Sequence, residues 1–314
     1  MLTFPDVDLV RDDRPAYRPY RAAVARIVDL SPSFRRVTFT GPDLATFGSD
    51  GLDQRVKIVF PIEGRAMCDA GWDDPDCIAA GDWYSRWRAL PVDERNPFRT
   101  YTVRGIRAIE REVDVDFVVH GDGGPAARWI ATASVGDELI LVGPDAQSLS
   151  SHVGIDWRPG PATDVLLAGD ATAAPGICSI LESLPESVRA TAFIEVPSAD
   201  DVLAVSHGAN VRVEWLPRSG AESGLVGAVA GWAREHTSAM QIVSAPQELE
   251  EIDVDVEMLW DSPDADSGSF YAWFAGESAI IKALRRTLVR DFGVDRSRVA
   301  FMGYWREGKS EAQE

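Results

Sequence analysis

Cysteine and histidine are scarce in this chain, and their scarcity removes whole classes of chemistry. Three cysteines, Cys68, Cys77 and Cys178, are too few and too unevenly placed for a disulfide framework. An iron–sulfur cluster held by four thiolates is excluded by the same count. The four histidines, His120, His152, His207 and His236, form neither an HExxH pair nor a facial triad, so no metal site is expected. Positive charge is also in short supply, with 31 basic against 50 acidic residues and a formal net charge of −19. Phosphate backbones and anionic membranes need a basic face, so nucleic acid is not an expected partner. No apolar run approaches the roughly 20 residues that cross a bilayer, and stable membrane insertion is not expected. The opening MLTFPDVDLVRDDR lacks a basic region followed by an apolar stretch. The expectation is a cytoplasmic, acidic, globular protein.

The length of 314 residues suits two modest domains better than one. Residues 20 to 29, 34 to 40 and 54 to 60 alternate as short strands, separated by Ser31-Pro32-Ser33 and Gly41-Pro42-Asp43. Several such strands at close spacing suggest a closed antiparallel barrel. Residues 61 to 97 break the pattern, carrying Trp72, Trp83, Tyr84 and Trp87 at exposed-looking spacing among Gly, Pro and Asp. A long loop of this kind is expected to be functional, as a lid or a dimer contact, or disordered.

The hexapeptide Arg99-Thr100-Tyr101-Thr102-Val103-Arg104 stands out next. In a strand, Arg99, Tyr101 and Val103 point one way and Thr100, Thr102 and Arg104 the other. Such a strand can offer a guanidinium to a phosphate, a phenol ring to an isoalloxazine and a hydroxyl to a ring nitrogen, which makes FAD the first cofactor to consider. An ordinary edge strand covered by Arg and Tyr is the competing reading. Glu112 to His120 follows as a strand entering a core, and Gly121-Asp122-Gly123-Gly124-Pro125 then opens onto Ala126 to Ala133, a helix with proline in its first turn. A glycine turn at a helix N-terminus presents unpaired amides and the positive end of the helix dipole, which suits a pyrophosphate. His120 is either a hydrogen-bonded core histidine or part of the flavin site.

Past a Pro- and Gly-rich stretch between Gly143 and Ala162, strands and helices alternate. Asp164 to Ala168 reads as a strand and Thr172 to Leu184 as a helix capped by Thr172. Strands at 189 to 196 and 211 to 216 and a helix near 222 to 236 follow. Phe270 to Ala275 is a strand, Gly276-Glu277-Ser278 a turn, and Ala279 to Asp291 an amphipathic helix with Lys282, Arg285, Arg286 and Arg290 outward. Arg298 to Trp305 is the last strand. This order implies a Rossmann-like parallel α/β domain with ligands at its carboxyl edge. The expected domains are a barrel over 15 to 150, extended by the loop 61 to 97, and an α/β domain over 162 to 307.

RTYTVR, then HGDGGPAARW, Val135-Gly136-Asp137-Glu138-Leu139 and Gly143-Pro144, together resemble the FAD half of the siderophore-interacting protein family, flavin-dependent ferric-siderophore reductases of the ferredoxin-reductase superfamily. The resemblance continues through Gly169-Asp170-Ala171-Thr172-Ala173-Ala174-Pro175, similar to that family's GDxTAxP turn, through Trp273 to Glu277, and closes on Gly303-Tyr304-Trp305-Arg306. It covers roughly residues 15 to 307 with the motifs in order. It implies that Arg99 lies on the FAD phosphates, Tyr101 packs on the isoalloxazine and Thr102 bonds near its N5, with Thr100, Val118, Val119, His120, Gly123, Gly124, Pro125, Ala126, Ala127 and Trp129 lining the cofactor. It places Gly169, Asp170, Thr172, Gly276 and Glu277 around a nicotinamide, and Lys57 and Arg306 toward a ferric siderophore, although either cation can equally be a surface residue. The chain departs from the family where Ala127 replaces a usual Ser and Ala171 a usual Glu.

For the electron donor, Glu195, Asp200 and Asp201 after the strand 189 to 196 favour a free ribose hydroxyl and so NADH, whereas Arg212 and Arg218 would favour NADPH. A reductase with a protein or quinone acceptor, and a binding protein without electron input, are the alternatives from other classes.

Overall fold

The computed structural model describes residues 10–119, 124–220, 222–240, 259–263 and 268–308. The chain divides into two compact units, meeting in sequence between Ile155 and Asp156.

In the first unit six strands close into an antiparallel barrel: β1 (Tyr17–Asp29), β2 (Phe34–Thr40), β3 (Arg55–Val59), β4 (Phe98–Arg107), β5 (Glu112–Val118) and β6 (Glu138–Pro144), ordered β1-β2-β5-β4-β3-β6 around the wall. Closure leaves no edge, so the RTYTVR strand β4 is hydrogen-bonded on both sides, to β3 and to β5. Alternation sends Val56, Ile58, Val113, Val115, Phe117, Leu139 and Leu141 into one core. On the outside of β5, Asp114 and Asp116 are nonetheless buried, because Arg107 and Thr38 bond the first and Arg36 the second.

The stretch 61 to 97 corrects the expectation of exposed aromatics. It contains two short helices, α1 (Pro75–Ala80) and α2 (Trp83–Ala89), and Trp72, Trp83 and Trp87 are buried, leaving Tyr84 as the exposed ring of the four. These indoles pack with Cys77 on Val59, Phe98, Ile140 and Val142, the apolar outward side of β3, β4 and β6. The spacing looked exposed because the apolar surface it covers lies on the outside of the barrel wall, on β3 and β4 that flank the segment and on β6 further along the chain. Asn96 pins the segment down: it accepts from the Cys68 amide at 2.7 Å, donates to the Phe60 carbonyl at 2.8 Å, and its own carbonyl accepts from the Trp87 indole at 2.9 Å. The helix α3 (Pro125–Thr132) plugs one end of the barrel, with Trp129 and Ile130 in the core.

The second unit is a six-stranded sheet ordered β10-β12-β11-β7-β8-β9, built from β7 (Asp164–Gly169), β8 (Arg189–Val196), β9 (Val211–Pro217), β10 (Trp260–Asp261), β11 (Phe270–Glu277) and β12 (Val299–Trp305). All pairs are parallel except β10 with β12. Every residue of β11 is buried, as expected of a strand covered on both faces. The helix α4 (Ala174–Ser183) packs on β7 and β8, while α5 (Leu225–Glu235) and α6 (Ser278–Arg285) share a core with alternate residues of β7, β11 and β12.

Two local expectations change. Thr172 is not the cap of α4; the capping position is Ala173, without a side-chain bond, and the Thr172 hydroxyl donates to Asp170 instead. Arg285 is buried rather than outward, because it stands four residues after Ile281 and next to Leu284 on the buried face of α6, which then passes into a π-helical turn over Arg286–Asp291. Among the described residues no helix is long and apolar enough to cross a membrane, and no cluster of His, Cys, Asp or Glu could hold a metal ion.

Candidate functional site

Two constellations stand out, one in each unit. In the barrel, Arg99 and Tyr101 lie on the inward side of β4 near the end plugged by α3. The Tyr101 ring packs on Phe117, with centroids 4.5 Å apart, and on the edge of Phe60 at 6.4 Å, and remains half-buried. Trp129 anchors the helix rather than facing outward, packing at 5.4 Å from Phe60 and 5.8 Å from Phe117. Arg99 Nη1 donates to the Phe98 carbonyl, which turns the guanidinium so that a Cβ added to Gly124 would stand 3.5 Å from Nη2.

Gly124 is the N-cap of α3, with no side-chain hydrogen bond to the first-turn amides and Pro125 immediately following. At the other end of the helix the Arg35 guanidinium donates to the Ile130 carbonyl at 2.9 Å, which suits its negative pole. The N-terminal end thus brings a positive helix pole and a guanidinium to one glycine, and an anion between them satisfies both. Ala126 and Ala127 lie in that first turn, Val118 ends the strand β5 before it, and Val119 follows. The amides and the guanidinium fit the pyrophosphate of FAD. His120 and Gly123 fall outside the described residues.

On the outward side of β4, Thr102 is buried opposite Arg55, and Thr100 stands opposite Lys57. Lys57 Nζ lies 3.4 Å from the Thr100 hydroxyl and 4.9 Å from the centroid of Phe98. Lys57 therefore belongs to the wall beside the Trp-rich segment, on the opposite side of β4 from Tyr101.

In the second unit, chain order reverses direction between β7 and β11, the switch point at which open α/β sheets bind ligands beyond the carboxyl ends of their strands. Gly169, Asp170, Thr172, Gly276 and Glu277 meet there. Asp170 is buried and accepts four hydrogen bonds: at Oδ1 from the Thr172 amide (2.9 Å) and hydroxyl (2.6 Å), and at Oδ2 from the Glu277 amide (2.8 Å) and the Trp305 indole (2.8 Å). Gly276 has φ +146°, and a Cβ there would stand 2.7 Å from Asp170 Oδ2, so a side chain would disrupt the turn. Glu277 caps α6, accepting from the Ala279 and Ile280 amides. Sequence reasoning missed the Trp305 bond, which joins residues 135 apart.

At the carboxyl ends of β8 and β9, Glu195 is buried and accepts from Arg218 at 2.7 Å and from the Gly224 amide at 2.7 Å. Asp201 turns inward to accept from the Ser198 amide and hydroxyl. Of the three acids expected at the ribose, Asp200 alone stays exposed. Arg212 pairs with Thr191 near the opposite end of the sheet and bonds Glu214, away from the carboxyl edge.

A closed antiparallel barrel followed by a mainly parallel α/β sheet defines the class by fold: the ferredoxin-reductase fold. The ferredoxin reductase in carbazole 1,9a-dioxygenase shares this fold, with TM-score 0.57 at 13% identity over 93% of this chain and 71% of that one. Residues 23–148 match the siderophore-interacting FAD-binding domain and residues 162–308 the siderophore-interacting protein domain. The crystal structure of the siderophore-interacting protein SipS from Aeromonas hydrophila is 30% identical, with TM-score 0.63 and 94% of each chain covered. The chain belongs to the siderophore-interacting protein family. Ferric vibriobactin reductase ViuB of Vibrio cholerae is 29% identical over 282 residues, 90% of this chain and 87% of that protein.

Proposed function

We propose that this protein is a flavin-dependent ferric-siderophore reductase, acting in the cytoplasm, that uses NAD(P)H to reduce the iron of a bound ferric siderophore. One NAD(P)H supplies two electrons, so two Fe(III) become Fe(II), with NAD(P)⁺ and one proton as the other products. The observation that carries the reading is the meeting of Arg99 and the uncapped N-terminus of α3 at Gly124, inside a barrel of this family. Bound FAD supplies the junction between a two-electron donor and a one-electron acceptor.

The chain's own residues then divide the work. Arg99 and the amides of Gly124, Ala126 and Ala127 hold the pyrophosphate; with alanine at 127, no hydroxyl helps. Tyr101, braced by Phe117 and Phe60, supports the isoalloxazine, and Thr100, Thr102, Val118 and Val119 border it. The FAD domain spans 15 to 150 and the nicotinamide domain 162 to 307, where Gly169, Asp170, Thr172, Gly276 and Glu277 shape the floor of the donor site. Lys57 and Arg306 attract the chelate.

The preference for NADH rests on Asp200, since Glu195 and Asp201 spend their oxygens inside the protein; Arg218, held at the same strand ends, favours NADPH.

Anaerobic addition of each nicotinamide to purified holoprotein, followed by a ferric chelate with an Fe(II)-trapping dye, tests the reading. Bleaching of the flavin band and then Fe(II) formation are expected. Flavin that stays oxidised with both donors ends it, and faster reduction of a cytochrome or quinone than of any ferric chelate moves it to another acceptor.

A further inference from the structure

Ten tryptophans are present; six are buried, and Trp215, Trp232 and Trp260 are half-buried. Among the described residues the exposed aromatic side chains are Tyr84 and Trp305, and Trp305 is 38% exposed. An exposed indole on a strand end would ordinarily be free to turn. This one is fixed. Its Nε1 donates to Asp170 Oδ2 at 2.8 Å, and its carbonyl accepts from the Ser278 hydroxyl at 2.9 Å.

The geometry of that anchor places the ring. Trp305 ends β12, Asp170 follows β7, and β11 runs between them, ending in Gly276-Glu277. To reach Asp170 the indole must cross the end of β11, and it can because Gly276 presents no side chain: a Cβ there would stand 2.7 Å from the oxygen the indole bonds. The ring therefore spans the switch point of the sheet. Gly303, where a Cβ would stand 2.6 Å from Ser278 Oγ, keeps the second anchor close in the same way.

We propose that Trp305 is a preset stacking plate for the nicotinamide ring of the electron donor, an inference that rests on the reading of this unit as the nicotinamide domain. The local charge selects the ring. The indole donates its N–H to the Asp170 carboxylate, which makes its π-face more electron-rich and favours a ring that carries positive charge. Oxidised nicotinamide is such a ring; reduced flavin, neutral or anionic, is not. Fixing the plate in advance also lowers the ordering cost of binding a visiting ligand.

The test measures dissociation constants of NAD⁺ and NADP⁺ on holoprotein by calorimetry, beside ADP-ribose, which has the same adenosine and pyrophosphate but no nicotinamide. Base stacking on an aromatic side chain contributes enough that Trp305→Ala is expected to weaken the dinucleotide about tenfold. ADP-ribose is expected to bind Trp305→Ala as it binds the parent. Trp305→Phe, which keeps a π-face without the indole bond, should retain affinity within about threefold, and Trp305→Leu, which keeps bulk without a π-face, should behave as the alanine variant. FAD content, read from the visible spectrum, should be unchanged in all three.

Equal loss for dinucleotide and ADP-ribose would make the role structural and overturn the proposal. So would dinucleotide affinity that ignores the substitution, or loss of FAD with dinucleotide affinity intact, which would assign the plate to the flavin. A parent protein that binds neither nicotinamide brings down the functional reading itself, and this proposal with it.

Discussion

The two constellations use polar groups in opposite ways. At the barrel, α3 begins at a glycine with no side chain to cap its first turn, and the Arg99 guanidinium, which also donates to the Phe98 carbonyl, is turned toward that glycine, so positive groups are gathered at one point. At the sheet, the polar groups are spent on one another: Asp170 accepts four bonds, Glu277 caps α6, and Glu195 accepts from Arg218 and Gly224. A gathered positive site binds an anion tightly and keeps it. A frame with its charges already satisfied offers shape and an aromatic face, and lets its ligand leave. Under the proposed function, the first arrangement suits a resident cofactor and the second a co-substrate that exchanges on every turnover.

The largest effect should come from breaking the frame. Asp170→Ala leaves two amides, a hydroxyl and an indole without their acceptor, and is expected to cost about 3 kcal/mol of stability. Thermal melting should show the loss, while FAD content measured well below the melting temperature stays at the parent level. If FAD is lost as readily as nicotinamide binding, the division of labour between the units does not hold.

Arg99→Ala attacks the other side of the comparison. Removing a charge-assisted contact to a phosphate is expected to weaken FAD binding by about 2 kcal/mol, some thirtyfold. Titration of apoprotein with FAD, followed by quenching of flavin fluorescence, measures it. Arg99→Lys should recover part of the affinity, because it restores the charge and not the fork. An unchanged affinity in Arg99→Ala would move the phosphates elsewhere.

A third prediction concerns the barrel wall that carries the site. Burial pushes the Asp114 carboxyl up, but bonds from Arg107 and Thr38 outweigh it and hold the group below the usual carboxylate range. A depressed folded value means that the contribution is present above the unfolded pKa and is lost as pH falls through the folded one. With Arg107 partly exposed, the contribution is about 1 kcal/mol. The parent should therefore lose stability toward Asp114→Asn as pH drops below about 4, and parallel stability curves for the two proteins would contradict the assignment.

The smallest effect is expected at Lys57. Its ammonium is braced by Thr100 and Phe98 on the outer wall, so Lys57→Ala should leave FAD content intact and slow ferric-chelate reduction about threefold, as expected of a partly exposed charge. Steady-state rates with an anionic and a neutral ferric chelate measure it. Rates unchanged on both would remove Lys57 from the substrate site.

Much of the fold was legible because its signals are local. Strand alternation along RTYTVR, proline at the first turn of α3, and the strand-turn-helix around Gly276 depend on spacings of two to four residues. What escaped was decided by which group claims each side chain once the chain is folded. Trp72, Trp83 and Trp87 look exposed in a Gly- and Asp-rich stretch until β3, β4 and β6 supply the apolar wall they cover. Thr172 has the composition of a cap, yet Asp170 takes its hydroxyl. Glu195 and Asp201 read as ribose acids until Arg218, Gly224 and Ser198 claim their oxygens.

By itself, then, the sequence determined the two-domain plan and the family and picked out Arg99, Tyr101 and Gly124 as candidates for a flavin site, since each is carried by short ordered motifs and by periodicity. Only the tertiary structure decided which polar groups are offered to a ligand and which are consumed. A carboxylate has the same letter whether its oxygens face solvent or accept four internal hydrogen bonds, as at Asp170, and burial between elements more than a hundred residues apart settles the difference.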